Sequence, residues 1–319
     1  MNVKKQILRF FSKVLIIIVL VYVLDFVLGA IIENGFKRQK AGKFAKIEYL
    51  LHFANDEILL IGSSRTDKNY DSRVFESELG MSCYNGGIPG QGIIFLDAIT
   101  SSILERYQPE IIVFNLDPNI LIKSNYNYER LSELLPFYND SKYIQHAIQL
   151  KSPFEKYKTI SKLYRFNSQP INIVKNVLKS ELQYKGFRPF YEQLSPEFVA
   201  AERLNPFELI KEEVLINATI DSVCIKSFEH LLQNFNNKET RLFIVLSPEF
   251  MNRDYSINKS FNIAVSIIRK YNLPLVDCSI LPDFIGHYEL FRDYDHLNYL
   301  GAEKFSKLVC DKIKQFRYK

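Results

Sequence analysis

A serine directly behind a short apolar run, and a histidine three residues after an aspartate near the far end of the chain, are the residues that could do chemistry together. The serine lies in Gly62-Ser63-Ser64-Arg65, behind Ile58-Leu59-Leu60-Ile61, and the histidine in Asp293-Tyr294-Asp295-His296, ahead of a final amphipathic stretch. A serine hydroxyl is a poor nucleophile until an imidazole takes its proton. The imidazole in turn needs an acceptor that fixes its tautomer and stabilises its charged form. Asp293 can fold back onto His296 within one turn, whereas the adjacent Asp295 tends to point elsewhere. Ser64, Asp293 and His296 are therefore the candidate catalytic set, with Asp293 as the orienting acid. Each motif alone is as well explained by a capping serine, a tight turn or a surface histidine. Their occurrence together, in order, favours chemistry. His52, His146, His230 and His287 have no such context and are expected to be structural.

Two further stretches complete the pattern: Tyr84-Asn85-Gly86-Gly87-Ile88-Pro89-Gly90-Gln91-Gly92 behind a second apolar run, and Val113-Phe114-Asn115-Leu116-Asp117-Pro118-Asn119 closing a third. Read in order, roughly residues 57–120 and 240–319 resemble the SGNH/GDSL hydrolase superfamily. The resemblance implies that Ser64 is the nucleophile and that Asp293 and His296 are the Asp-x-x-His pair. It also implies an oxyanion hole of Ser64, Gly90 and Asn119. The family's usual Gly-x-Asn-Asp is absent from the third block, and Asn119 stands nearest its place. The Gly-Ser-Ser-Arg form behind an apolar segment looks closer to the membrane-attached acyl-transfer members, such as the D-alanyl-transfer and alginate-acetylation proteins. Arg65 is either a salt-bridge partner or an anion contact at the site mouth, and Asn85 is a weaker substrate-binding candidate. No metal or organic cofactor is implied.

These residues need a scaffold that gathers loops. Short apolar runs at 58–61, 82–84, 111–116, 242–246 and 274–277 read as strands buried on both faces. Helical patterns fall at about 71–79, 92–106, 257–270 and 301–316. The alternation predicts a three-layer α/β/α sandwich on a five-stranded parallel sheet, the flavodoxin-like SGNH fold. Ligands of such sheets bind beyond the carboxyl ends of the strands, where Ser64, Gly90, Asn119 and His296 all fall. Residues 120–240 are too many for an ordinary crossover. They are expected to form a mostly helical, aromatic-rich cap, with turn breaks at Pro136, Pro153, Pro170, Pro189, Pro196 and Pro206 and with Lys185-Gly186-Phe187-Arg188-Pro189 as its most exposed part.

The chain has 319 residues, 47% of them hydrophobic, and a net charge of +5. Residues 1–46 hold nine basic side chains against two acids, so the basicity belongs to that end and the rest is slightly acidic. That suits anionic lipid headgroups and implies no nucleic acid. Val14–Ile32 is apolar apart from Asp25 and is long enough to cross a bilayer. The expected organisation is an anchor at 1–33 and a single-pass catalytic domain at 34–319. Lysine and arginine flank the span on both sides, so charge leaves its orientation open; the resemblance implies an extracytoplasmic domain. Asp25 is expected at the outer end of the span or against a packing partner. Cys83, Cys224, Cys278 and Cys310 lack metal-like spacing. Three functions stand open: an O-acyl esterase, O-acetyl first, acting on a cell-envelope glycan; an O-acyltransferase beside a multi-span membrane partner that delivers the acyl group; and an idle anchored glycan-binding or scaffold protein.

Overall fold

The computed structural model describes residues 3–166, 176, 183–203, 218–235 and 239–317. The apolar runs form β1 (Ile58–Ile61), β2 (Cys83–Asn85), β3 (Ile111–Asn115), β4 (Arg241–Leu246) and β5 (Leu275–Asp277). Every pairing is parallel and the order is β2-β1-β3-β4-β5. Ile58 stands beside Cys83 on one flank and Ile111 on the other. Because strand side chains alternate between faces, Leu59, Ile61, Ile112 and Phe114 enter one core while Ile58, Leu60, Ile111 and Val113 enter the other.

The helices are α1 (Val3–Lys37), α2 (Gly42–Glu48), α3 (Ser64–Asn69), α4 (Ser72–Leu79), α5 (Ile93–Arg106), α6 (Asn125–Arg130), α7 (Lys142–Lys151), α8 (Glu155–Lys158), α9 (Pro196–Arg203), α10 (Ser222–Gln233), α11 (Lys259–Lys270) and α12 (Tyr299–Arg317). On the first face lie α5, α10 and α11, through Ile99, Ile103, Phe228, Leu231, Ala264 and Ile268. On the other lie α4 and α12, through Phe75, Phe305, Val309 and Ile313. The three-layer sandwich follows. The four cysteines are free and buried; burial pushes the Cys278 thiol up to about 12, as suits small core hydrophobes.

The segment between β3 and β4 departs from its expected form in two ways. Helix α10 packs on α5 and buries Cys224, Phe228, Leu231 and Leu232, so it is a crossover helix of the sandwich rather than part of a cap. Lys185–Pro189, expected to be exposed, is pinned: Lys185 O accepts from Asn85 N at 2.8 Å, Phe187 is buried, and Arg188 reaches Asp67 at 2.9 Å. A Gly/Pro-punctuated basic stretch reads as solvated until a buried carboxylate on another element claims its arginine. Pro196 opens α9, where its missing N–H costs nothing. The breaks expected at Pro170 and Pro206 lie outside the described residues.

Helix α1 is long and apolar enough to cross a membrane, and its side chains from Val3 to Val27 are largely exposed. Its end is docked. Phe36 meets Phe44, Phe137 and Phe166, each with ring centroids 5.4 Å away. Asp25 has a packing partner: its carboxylate accepts from Ser161 Oγ at 2.6 Å and from the backbone N–H of Lys162 at 2.7 Å.

Candidate active site

The order β2-β1-β3 reverses direction at β1, and the crevice beyond the carboxyl ends of β1 and β3 is where such sheets bind ligands. Gly62 makes the turn out of β1. Its φ is +154°, and a Cβ there would come within 2.2 Å of Thr66 Oγ1. Only glycine fits between the strand and α3, whose first residue is Ser64. Across the turn the Gly87 backbone lies so close that a Cβ would fall 2.2 Å from Asp67 N. The glycine-rich loop after β2 is thereby pressed onto the helix that carries the serine.

The loop before α12 delivers the histidine. Asp293 Oδ1 accepts from the backbone N–H groups of Asp295 at 3.0 Å and His296 at 2.9 Å, closing a tight turn. That turn brings His296 Nδ1 to 2.8 and 3.1 Å from the two Asp293 oxygens, and Nε2 to 2.8 Å from Ser64 Oγ. A carboxylate only accepts, so Nδ1 carries the proton and Nε2 presents its lone pair to the serine. Burial works against ionisation of Asp293. The hydrogen bond and charge of His296, the Asp295 N–H and Arg292 outweigh it and hold the carboxyl down at about 2. Asp295 points away from the imidazole, toward Arg65 at 3.2 Å.

Arg65 has 8% of its surface exposed and pairs with Glu249 at 2.6 Å, while the Tyr255 hydroxyl donates to the same glutamate. Burial opposes its charge, but Glu249, Asp295 and Asp117 outweigh that and keep it protonated. Its Nη1 has no hydrogen-bond partner, and the residue lines a cavity of about 400 Å³ together with Ser64, Gly90, Asn119 and Tyr126. The ion-pair role is therefore present, with one N–H to spare. Asn119 is exposed. Its Oδ1 accepts from Asn258 Nδ2 at 2.9 Å, and Asn258 is itself oriented by the Phe261 backbone N–H on its Oδ1. An N–H is unambiguously a donor, so this chain fixes which way the Asn119 amide faces and leaves Nδ2 as its donor.

Asn85 requires a correction. It is fully buried, donates to Thr66 O at 2.7 Å and Tyr70 O at 2.8 Å, and accepts from Gly87 N at 3.0 Å. With those bonds made it clamps α3 to the glycine loop and offers substrate no surface. The other histidines lie elsewhere. His146 and His230 line a separate cavity of about 550 Å³, and His52 and His287 bond Asp140 and Glu289.

Asn69, on the last turn of α3, gave no sign of its importance in the sequence. Its Oδ1 accepts from Leu297 N at 2.9 Å and its Nδ2 donates to Asp295 O at 3.3 Å, tying the histidine loop to the serine helix. Asp67 is a second strut: it binds buried Lys46 of α2 at 2.6 Å, and Lys46 also donates to Gly87 O at 2.8 Å. Burial pulls the Lys46 ammonium down to about 8, with Asp67 opposing that fall. A shift of about 1 Å at a catalytic group can cost about 10²-fold. Asn69→Ala is accordingly expected to lower turnover of a soluble aryl ester about 10- to 100-fold, with KM little changed, since Asn69 lies outside the cavity. Steady-state kinetics check this; a rise in KM at constant kcat contradicts it.

No family model and no curated protein matches the sequence. Among solved structures, the chain is similar to a gut microbial diltiazem-metabolizing enzyme, at 11% identity and a TM-score of 0.36. The similarity covers 79% of this chain and 46% of that one, so the chain spans just under half the length of that protein.

Proposed function

We propose that this chain is a membrane-anchored serine enzyme of the SGNH type that moves an acyl group through an acyl-Ser64 intermediate. The observation carrying the reading is the unbroken relay from Asp293 through His296 to Ser64, with contacts of 2.8 Å at each nitrogen of the ring. His296 Nε2 takes the proton as Ser64 Oγ bonds to an ester carbonyl carbon. Asp293 stabilises the imidazolium that results. The tetrahedral oxyanion is held by the backbone N–H groups of Ser64 and Gly90 and by Asn119 Nδ2, each such donor being worth about 10²–10³ in turnover. The carbon–oxygen bond to the leaving alcohol then breaks as His296 returns the proton. Water attacks the acyl-Ser64 in the same manner and frees the acid. The substrate is an acylated, first of all O-acetylated, glycan of the cell envelope.

A second acceptor, a sugar hydroxyl in place of water, is favoured by one connection. Lys43 of α2, just beyond α1, binds Glu133 at 2.6 Å, and Glu133 accepts from Gln91 Nε2 at 2.7 Å beside Gly90. That short path joins α2, which follows the apolar helix, to the loop of Gly90, as suits a transferase fed by a multi-span membrane partner.

The test is labelling of the purified full-length protein by a fluorophosphonate, whose phosphorus an activated serine oxygen attacks as the P–F bond breaks and fluoride leaves. Labelling supports the enzyme; its absence leaves the scaffold reading. The extracytoplasmic placement has its own test. Protease added outside spheroplasts is expected to digest the region after α1, and protection until the membrane is breached would put the site in the cytoplasm.

A further inference from the structure

The stretch from Pro153 to Ile160 turns its large apolar side chains outward. Glu155 at 1% exposure and Thr159 at 7% face the protein, while Phe154, Tyr157 and Ile160 stand 65%, 60% and 68% exposed, with Lys156 and Lys158 exposed between them. The Glu155 carboxylate accepts inward from the Tyr164 hydroxyl at 2.8 Å, so the orientation is fixed by a buried bond. Large apolar side chains turned outward together mark an interaction surface. Lys151, Lys156, Lys158, Lys162 and Arg165 fall in the same stretch, with Glu155 the one acid between residues 151 and 166; Lys158 pairs with that acid at 2.9 Å. Lys156 covers the ring of Tyr157 at 4.8 Å. Aromatic rings among basic side chains suit the boundary where hydrocarbon gives way to lipid phosphates.

Position points the same way. Asp25 of α1 holds Ser161 and Lys162 directly, Lys162 Nζ pairs with Glu33 at 2.6 Å and lies 4.8 Å from the Phe26 ring, and a Cβ on Gly29 would collide with Lys162. Ile160 is thus fixed at the depth of Asp25. Measured from Val14, Asp25 stands about 17 Å along the helix, and measured from Ile7 about 27 Å. A hydrocarbon core is about 30 Å thick. In the first register the patch lies inside the core, and in the second it lies at the outer boundary, with Arg9 and Lys13 reaching back to the opposite headgroups. Lys156, exposed over the Tyr157 ring, favours the second.

We propose that Phe154, Tyr157 and Ile160 dip into the lipid surface at the level of Asp25 on α1, with Lys156 on the headgroup phosphates. The surface is a second membrane contact, and it fixes the roll of the domain about its anchor. This rests on the anchor reading, and the experiment separates the two. The chain contains no tryptophan, so a single introduced indole reports one position. Full-length Tyr157→Trp, Ile17→Trp and Ile280→Trp are each reconstituted in phospholipid vesicles, with or without lipids brominated along the acyl chain. The expected result is strong quenching for Ile17→Trp, quenching by shallow bromines for Tyr157→Trp with a blue-shifted emission, and none for Ile280→Trp, which is exposed beyond β5. Quenched Ile17→Trp with unquenched Tyr157→Trp overturns the docking surface and leaves the anchor standing. Unquenched Ile17→Trp removes the anchor, and the docking surface with it.

Discussion

Ser64→Ala is expected to abolish fluorophosphonate labelling and to lower turnover of a small aryl acetate by about 10⁶-fold, the scale on which loss of an activated serine is felt. The chemistry leaves no substitute. Among the described residues His296 Nε2 bonds one hydroxyl, that of Ser64 at 2.8 Å, and a methyl group can neither attack a carbonyl nor return a proton. Ser63 is the informative control. It precedes α3, and its carbonyl accepts from Asp67 N at 3.2 Å. Ser63 also lines the cavity, but the imidazole bonds Ser64, so Ser63→Ala should retain labelling. Labelling that survives in Ser64→Ala and vanishes in Ser63→Ala would move the nucleophile by one residue. Undiminished labelling in both would remove the site altogether. Because Ser64 opens a helix instead of filling a core, its loss should leave thermal unfolding nearly unchanged, which keeps a null activity result interpretable.

How much of this was legible in the sequence depends on the range of each interaction. Strands such as Ile58–Ile61 read correctly because burial on both faces demands four apolar residues in a row, a local property. Asp293 and His296 read correctly because one tight turn suffices to bring them together. Asn69 and the pairing of Glu249 with Arg65 did not, since Leu297 and Asp295 lie far along the chain from Asn69, as Arg65 does from Glu249. Asn85 misled for a related reason. A polar residue at a strand end near glycines looks like a site residue, and only the packing of α3 against that loop shows its amide consumed by Thr66, Tyr70 and Gly87. Helix α10 misled because an amphipathic run looks the same in a cap as in a sandwich layer. The path from Lys43 through Glu133 to Gln91 joins three separate elements, and no single stretch encodes it.

Asp293→Asn is expected to lower kcat by about 10⁴-fold while the fold persists. The replacement is nearly isosteric, but its amide can present a donor to Nδ1. The imidazole would then carry its proton on Nε2, facing Ser64, where it cannot serve as a base. Asp295→Asn should cost far less, because that carboxylate pairs with Arg65, which keeps Glu249 at 2.6 Å. Equal losses in the two variants would break the assignment of Asp293. A stability measurement supplies an independent check. The Asp293 carboxyl is held down at about 2, below its unfolded value of about 3.9. A depressed carboxyl adds stability that is present in full above the unfolded value and is lost as the pH falls through the folded one. Urea unfolding should therefore show the wild type losing stability between about pH 4 and pH 2 more steeply than Asp293→Asn, which has no carboxyl there to protonate. Parallel curves would mean that the carboxylate is not held by His296 in the folded protein, and the relay to Ser64 would lose its first member.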